Sequence, residues 1–276
     1  MNGEALIGPV AAPGLHLMTF NVRRPMPSPQ WRAADRWSRR RRLVATLLAT
    51  ELPTLLGVQE AVPDQASTIL TALGPSYRYV GRGHGIAGRG EGCPIFFDAD
   101  RLELLGWQQK ALSDEPDTPG STSWGNRVPR VVVSAEFRDR ETSARFVALN
   151  THLDHLSFAS RKRSAEEIRR RISEESQPAV VMGDFNAGTA SAAYSALIEG
   201  GTLLDAWIAA SAHATPEWGT FAGYRPPRTR GRRIDWIAVS PEIEVQRAAV
   251  NARRFDHGWP SDHLPVQAVV RVPSPT

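Results

Sequence analysis

A short β-branched run, Val180-Val181-Met182, stops at Gly183 and delivers Asp184 and Asn186 together. Such runs form buried strands, and a glycine at the end permits a sharp turn, so both polar side chains are expected at the rim of a sheet. The pattern recurs along the chain. Residues 15–20 run into Asn21, residues 55–58 into Gln59 and Glu60, and residues 146–149 into Asn150, Thr151, His152 and Asp154. Residues 234–239 carry Asp235 near their start, and Ser261-Asp262-His263 leads into a last apolar segment. Six strand ends supplying Asn, Asp, Glu and His point to one shared sheet edge, which is where an α/β protein places its chemistry.

One shared edge requires one domain. A chain of 276 residues allows it, since single cores keep growing to roughly 250–300 residues. The expected domain is 15–272, preceded by a flexible leader at 1–14 with Glu4, small residues and prolines but no basic cluster of a secretory signal. Hydrophobic content of 41% excludes disorder, and no apolar run reaches the ~18 residues that span a bilayer. A single cysteine, Cys93, excludes an internal disulfide and suits a reducing compartment. Its neighbours Pro94 and Ile95 favour a buried, inert thiol. A cytoplasmic monomer is the expectation.

Residues 15–21 read as a strand, and a Pro-rich connection at 25–29 leads to a helix over 31–50. Trp37, Val44, Leu47 and Leu48 lie on its inner face and Arg36, Arg39, Arg40, Arg41 and Arg42 on its outer face, to be read as a solvated surface or as a phosphate contact. Strand 55–58 follows, then a helix over 64–73 with Asp64 as a candidate cap, and strand 77–80. The glycine-rich stretch 81–92 lacks the Gly-Lys-Ser/Thr ending of a nucleotide P-loop and continues into a strand at 94–97. Further strands are expected at 102–107, 131–137 and 146–149, the last two joined by a hairpin through 139–142, with helices at 160–172 and 191–198. Long loops at 114–130 and 213–233 suggest function. The second carries Trp218, Phe221, Tyr224 and five arginines, at 225, 228, 230, 232 and 233.

Carboxylates with an asparagine carbonyl form a hard-oxygen set, which suits Mg²⁺, with Mn²⁺ as substitute, better than metals that prefer thiolate or imidazole. The net charge of +4 persists although six acids, Glu60, Glu91, Asp154, Asp184, Asp235 and Asp262, are assigned to one pocket. The remaining surface is therefore more basic than the total suggests, and a phosphate-bearing partner fits it.

In order along the chain stand Met-Thr-Phe-Asn at 18–21, Val-Gln-Glu at 58–60, Asn-Thr-His-Leu-Asp-His at 150–155, Gly-Asp-Phe-Asn at 183–186, Arg-Ile-Asp-Trp-Ile at 233–237 and Ser-Asp-His-Leu-Pro-Val at 261–266. With all six present, the chain resembles the endonuclease/exonuclease/phosphatase superfamily over nearly its whole length, most closely the bacterial metal-dependent hydrolases. The resemblance implies a DNase I-like fold, two mixed β-sheets packed as a sandwich and flanked by helices in a four-layer α/β/β/α arrangement, with a metal-dependent hydrolytic site at one rim. It implies Glu60 as principal metal ligand, with Asn21 and Asp262 as metal or phosphate contacts. Asp184 would orient or deprotonate the attacking water beside Asn186, His263 would bind the scissile phosphate with Asp235 as its partner, and His152 would act from the other side. Glu91 is the candidate partner of His152, and Asp154 and Arg127 are candidate substrate contacts, with His84 and Arg130 near them.

Departures from the subfamilies exclude more than the matches decide. His152 stands where the abasic-site endonucleases of the superfamily have tyrosine, and one cysteine does not match secreted disulfide-bonded members. The first reading is a phosphodiesterase acting on nucleic acid or a nucleotide, with Trp124, Trp218, Phe221 and Tyr224 available to stack on bases. The second is a phosphomonoesterase or lipid-headgroup phosphodiesterase on the same site, and the third a catalytically silent binding protein.

Overall fold

The computed structural model describes residues 4–26, 33–255 and 258–275. The chain runs β1 (Leu15–Asn21), α1 (Trp37–Glu51), β2 (Leu55–Gln59), α2 (Pro63–Leu73), β3 (Tyr77–Val80), β4 (Ile95–Asp98), β5 (Leu102–Ala111), β6 (Val131–Asp139) and β7 (Arg145–His152). It continues with α3 (Phe158–Glu174), β8 (Ala179–Asp184), α4 (Ala192–Ile198), β9 (Leu204–Asp205), α5 (Ala206–Ala209), β10 (Asp235–Val239), β11 (Glu244–Val250) and β12 (Val266–Arg271).

Two six-stranded sheets result, ordered β11-β12-β1-β2-β4-β3 and β5-β6-β7-β8-β10-β9. Each is built around one parallel pair joined by a helix, β1-α1-β2 in the first and β7-α3-β8 in the second, with antiparallel neighbours on both sides. A parallel pair needs a crossover, and the crossover helices cover the outer face of each sheet. The strands therefore alternate between two apolar surroundings rather than between core and water. In β1, Leu15 and Leu17 enter the core between the sheets while Met18 and Phe20 pack under α1 and α2. In β8, Val180 and Met182 face the first sheet, and Ala179 and Val181 pack under α3 and α4. The four layers are those the resemblance implies.

This parity positions the polar strand ends. Residues 15, 17, 19 and 21 of β1 share the inner face, as do 180, 182 and 184 of β8, because strand side chains repeat every second residue. The inner rows thus pass from apolar to polar as each strand reaches the same rim. Asn21 lies in register with Gln59, and Asp184 has His152 on one side and Asp235 on the other.

Several local expectations change. Gly183 is not a turn but lies within β8, where a Cβ would stand 2.5 Å from the Thr151 carbonyl oxygen. Helix α1 begins at Trp37, with residues 31 and 32 of its expected start outside the described residues. Arg40 is not on its outer face but fully buried, donating to the carbonyls of Val22, Arg23, Asp35 and Pro260. Val62, not Asp64, is the residue before α2. Its backbone N–H is accepted by the Gln65 side chain, while Asp64 takes the Trp37 indole N–H at 2.7 Å. Strand β11 was not anticipated, because its alternation is interrupted by a bulge between Val245 and Arg247. Ahead of β1, the stretch expected to be loose has the backbone amides of Leu6, Ile7 and Gly8 bonded to Glu51.

Candidate active site

Beneath the rim lies a polar floor. Gln59 donates to Asn150 at 2.7 Å and Thr19 at 3.0 Å, and Asn150 donates to the carbonyls of Val58 and Pro94, tying the two sheets together. Gly57 permits this approach, since a Cβ there would meet the Asn150 side chain at 2.8 Å.

Above the floor, Asn21 donates through Nδ2 to Glu60 Oε1 at 3.1 Å and to Asp184 Oδ2 at 2.9 Å, while its side-chain Oδ1 accepts from the Arg23 amide. Asn21 thus presents its donor, not its oxygen, to the acids. Glu60 takes a second bond, at Oε2, from the Arg24 amide. Its φ of +62° lies in the left-handed region, as does the +52° of Asn186. Backbone strain at two site residues is the kind of cost that a fold retains where geometry matters.

His263 Nδ1 lies 3.0 Å from Asp235 Oδ2, and its Nε2 lies 3.7 Å from Asp184 Oδ2. Burial pushes this imidazole down, but Asp235 and Asp184 outweigh it and raise the pKa to about 10. Burial, reinforced by Asp235, raises Asp184 to about 7 despite His263 and the bonds from Asn21 and Asn186. His152 behaves oppositely. Burial first, then Arg130 and His263, hold it well below its ordinary value, so it is neutral. Asn186 Nδ2 lies 3.0 Å from His152 Nε2, a donor to the neutral ring, while the Asn186 amide donates to Asp184 Oδ1. Two histidines flank one carboxylate, one charged and one neutral.

Asp262, raised by burial and by Glu60, keeps its ion contact with Arg23 at 3.6 Å. Ser261 anchors it by donating to the Asn21 carbonyl at 2.7 Å. These groups open into a cavity of about 630 Å³ lined by Arg23, Arg24, Glu60, Glu91, Arg130, His152, Asp184, Asn186, Phe221, Arg232, Asp262 and His263, among others. Seven of the expected site residues, Glu60, Glu91, His152, Asp184, Asn186, Asp262 and His263, line it directly. Asn21 and Asp235 support it from behind.

Three expected residues lie elsewhere or do other work. Glu91 forms an ion pair with Arg24 at 2.9 Å instead of bonding His152, although both border the deepest recess of the cavity. Asp154 is buried outside the cavity lining, where it accepts from the amides of Leu156 and Ser157 and holds Arg130 at the entry to α3. Arg127 is exposed and absent from the lining, where Arg130 and Val128 stand instead. Of the aromatics, Trp124 and Tyr224 donate to Asp114 and Asp35, and Trp218 packs on the core. Phe221 alone of the four lines the cavity, edge-on to His263 with ring centroids 5.0 Å apart. Arg23, Arg24 and Arg232 were missed as site residues. Two arginines directly after a polar strand end were the available signal.

The profile described as the Endonuclease/Exonuclease/phosphatase family matches residues 18–263. The chain belongs to the endonuclease/exonuclease/phosphatase family. Members of this family are phosphoester hydrolases. Among solved structures, a family protein from Bacteroides thetaiotaomicron is 28% identical, with 94% of this chain and 98% of that one aligned at a TM-score of 0.88. A mannosyl-6-phosphatase from the same organism is 28% identical over 93% and 99% of the two chains, with a TM-score of 0.85. A third, from Bacteroides vulgatus, is 29% identical over 94% and 99%, with a TM-score of 0.86. No match was found among curated proteins.

The donor chemistry suits the divalent ion this family generally uses. Glu60, Asp184, Asp235 and Asp262 crowd buried oxygens whose protons are held on by burial and mutual repulsion at Asp184 and Asp262, and a cation relieves both costs. Asp184, Asp235 and His263 bring one potential donor atom each within 4.8 Å of one another. In that trio, however, His263 is already engaged with Asp235.

Proposed function

We propose that the chain is a divalent-metal-dependent phosphomonoesterase for small phosphorylated molecules, with Asp184 activating the attacking water. The observation that carries this reading is the cavity. At about 630 Å³ it has the volume of a small-molecule site, and its floor is the Asp184–His263 pair. The likeness to a mannosyl-6-phosphatase supports the same substrate class.

Glu60 and Asp262 would hold Mg²⁺ or Mn²⁺. The ion supplies charge neutralisation at a phosphoryl oxygen. Asn21 keeps Glu60 and Asp184 apart and oriented by donating to both. Asp184 takes the proton of the attacking water, held in place by the bonds from Asn21 Nδ2 and the Asn186 amide. Cationic His263, held by Asp235, donates to a phosphate oxygen as negative charge builds. Neutral His152 can donate through Nδ1, with its ring fixed by Asn186.

A second reading, hydrolysis at the end of a single polynucleotide strand, is favoured by exposed Phe221 beside the exposed arginines Arg225 and Arg228. Phosphate release from nitrophenyl phosphate, sugar phosphates and nucleotides, measured with Mg²⁺, Mn²⁺ or EDTA beside an oligonucleotide assay, tests both. Monoester hydrolysis abolished by EDTA is expected. Cleavage confined to internal polynucleotide bonds overturns the monoesterase reading.

A further inference from the structure

Next to the catalytic cavity lies a second one, of about 480 Å³, lined by Gly219, Phe221, Ala222, Gly223, Arg225, Pro226, Arg228 and Gly231. Phe221 borders both cavities, with 58% of its surface exposed. The arginines of this arm divide into two kinds. Arg233 is buried against Asp205 at 2.6 Å and Glu217 at 3.0 Å. Arg225, Arg228 and Arg232 are exposed and form no ion pair among the described residues.

The arm is also held in place. Gly219 and Gly231 cross so closely that a Cβ on the first would meet the Cα of the second at 2.4 Å. Gly219 donates to the Arg228 carbonyl and Thr220 to that of Arg232, and the Ala222 and Gly223 amides both bond the Asp262 carbonyl. Tyr224 donates to Asp35 at 2.7 Å. Cations on a braced arm bind an anion with less ordering cost than cations on a free loop.

We propose that Arg225 and Arg228 form a second phosphate subsite, so that the preferred substrate carries two phosphates separated by a ring that rests on Phe221. This deepens the phosphoesterase reading and rests on it. The scissile phosphate sits at Asp184 and His263. The other lies across Phe221, between two guanidinium groups that form no ion pair with a carboxylate among the described residues. Arg232, which lines the catalytic cavity, adds charge between them. A nucleoside or a sugar can supply the ring. A nucleoside base gains more from the flat face of Phe221.

The test compares the wild type with the double variant Arg225→Gln/Arg228→Gln, and with Arg41→Gln/Arg42→Gln as a charge-matched control on α1. Substrates are nitrophenyl phosphate, adenosine monophosphate and bisphosphate, and hexose monophosphate and bisphosphate. The arm variant should lose about 10- to 100-fold in kcat/KM on bisphosphates, through KM, and stay within about twofold on monophosphates. The control should match the wild type. Loss of the adenosine preference in Phe221→Ala would assign the ring to a nucleoside, and an unchanged ratio would assign it to a sugar. Equal losses on mono- and bisphosphates, or none, overturn the subsite. Should the wild type hydrolyse nothing, the phosphoesterase reading fails on its own. Calorimetric binding of adenosine bisphosphate to metal-free wild type and arm variant still decides the subsite, which is overturned if the two bind alike.

Discussion

Strand β1 carries a buried histidine network at its start and the candidate active site at its end, ~17 Å apart along the strand. At the start, Glu51 accepts from the amides of Leu6, Ile7 and Gly8 and from Asn251 and Gln267. His16 bonds the Gly8 carbonyl at 2.8 Å through Nδ1 and Gln267 at 3.0 Å through Nε2. One carboxylate has five donors, and the imidazole is neutral. At the other end, Asp184 lies beside Asp235 and is tied through Asn21 to Glu60, His263 is cationic, and a cavity opens above. The residue types are the same. The difference is that the first cluster satisfies itself, whereas the second has acids in excess and room for something else. Surplus charge beside open volume, not the presence of a histidine and a carboxylate, distinguishes the candidate site.

The comparison breaks most easily at Asp184. Asp184→Asn should reduce phosphate release by about a thousandfold or more, while the urea midpoint stays level or rises, because a buried carboxylate crowded by Asp235 is removed. A parallel fall in stability would show Asp184 to be structural. Glu51→Gln should do the reverse. Losing a carboxylate that takes five hydrogen bonds is expected to cost about 3 kcal/mol in urea unfolding, with kcat per folded molecule unchanged.

The third test uses pH. Burial, only partly opposed by Glu51, lowers His16 from 6.5 to about 4. The unfolded chain therefore takes up a proton that the folded chain refuses, and stability falls as pH drops from 6.5 toward 4. The loss is on the order of 2 to 3 kcal/mol. His16→Gln should flatten that part of the pH–stability curve, and an unchanged slope would remove His16 as its source. Glu51, whose bonds from Leu6, Gln267 and Gly8 overcome burial and hold it below the usual carboxylate range, adds its own loss at still lower pH. The smallest effect is expected at Asn186. Asn186→Ala should lower kcat about tenfold by freeing His152 and cost about 1 kcal/mol, since alanine tolerates a φ of +52° less well than asparagine. Kinetics and unfolding on one preparation check both.

The convergence of polar strand ends at the candidate site is legible because each of its strands announces itself locally. An apolar run meets a polar residue, and strand parity carries Asn21, His152, Asp184 and Asp235 to one face. The first network was not legible. Glu51 closes a helix, His16 opens a strand and Gln267 lies in β12, and nothing in their spacing says that they meet. Arg40 was misread for a related reason, since helical periodicity ranks faces by hydropathy and cannot see the carbonyls of Val22, Arg23 and Pro260 awaiting a donor. Glu91 lies near its expected partner, but Arg24, three residues beyond β1, reaches it as an ion pair. Pairings between loops depend on conformation that strand patterns do not encode.

The most direct measurement is Mg²⁺-dependent phosphate release and the urea midpoint, read on the same preparations of wild type, Asp184→Asn and Glu51→Gln, with and without EDTA. The predicted result is a crossed pattern. Asp184→Asn is stable and inactive, Glu51→Gln is destabilised but active per folded molecule, and EDTA silences the wild type. Wild-type activity that survives EDTA, or an Asp184→Asn protein that remains fully active, would contradict the account.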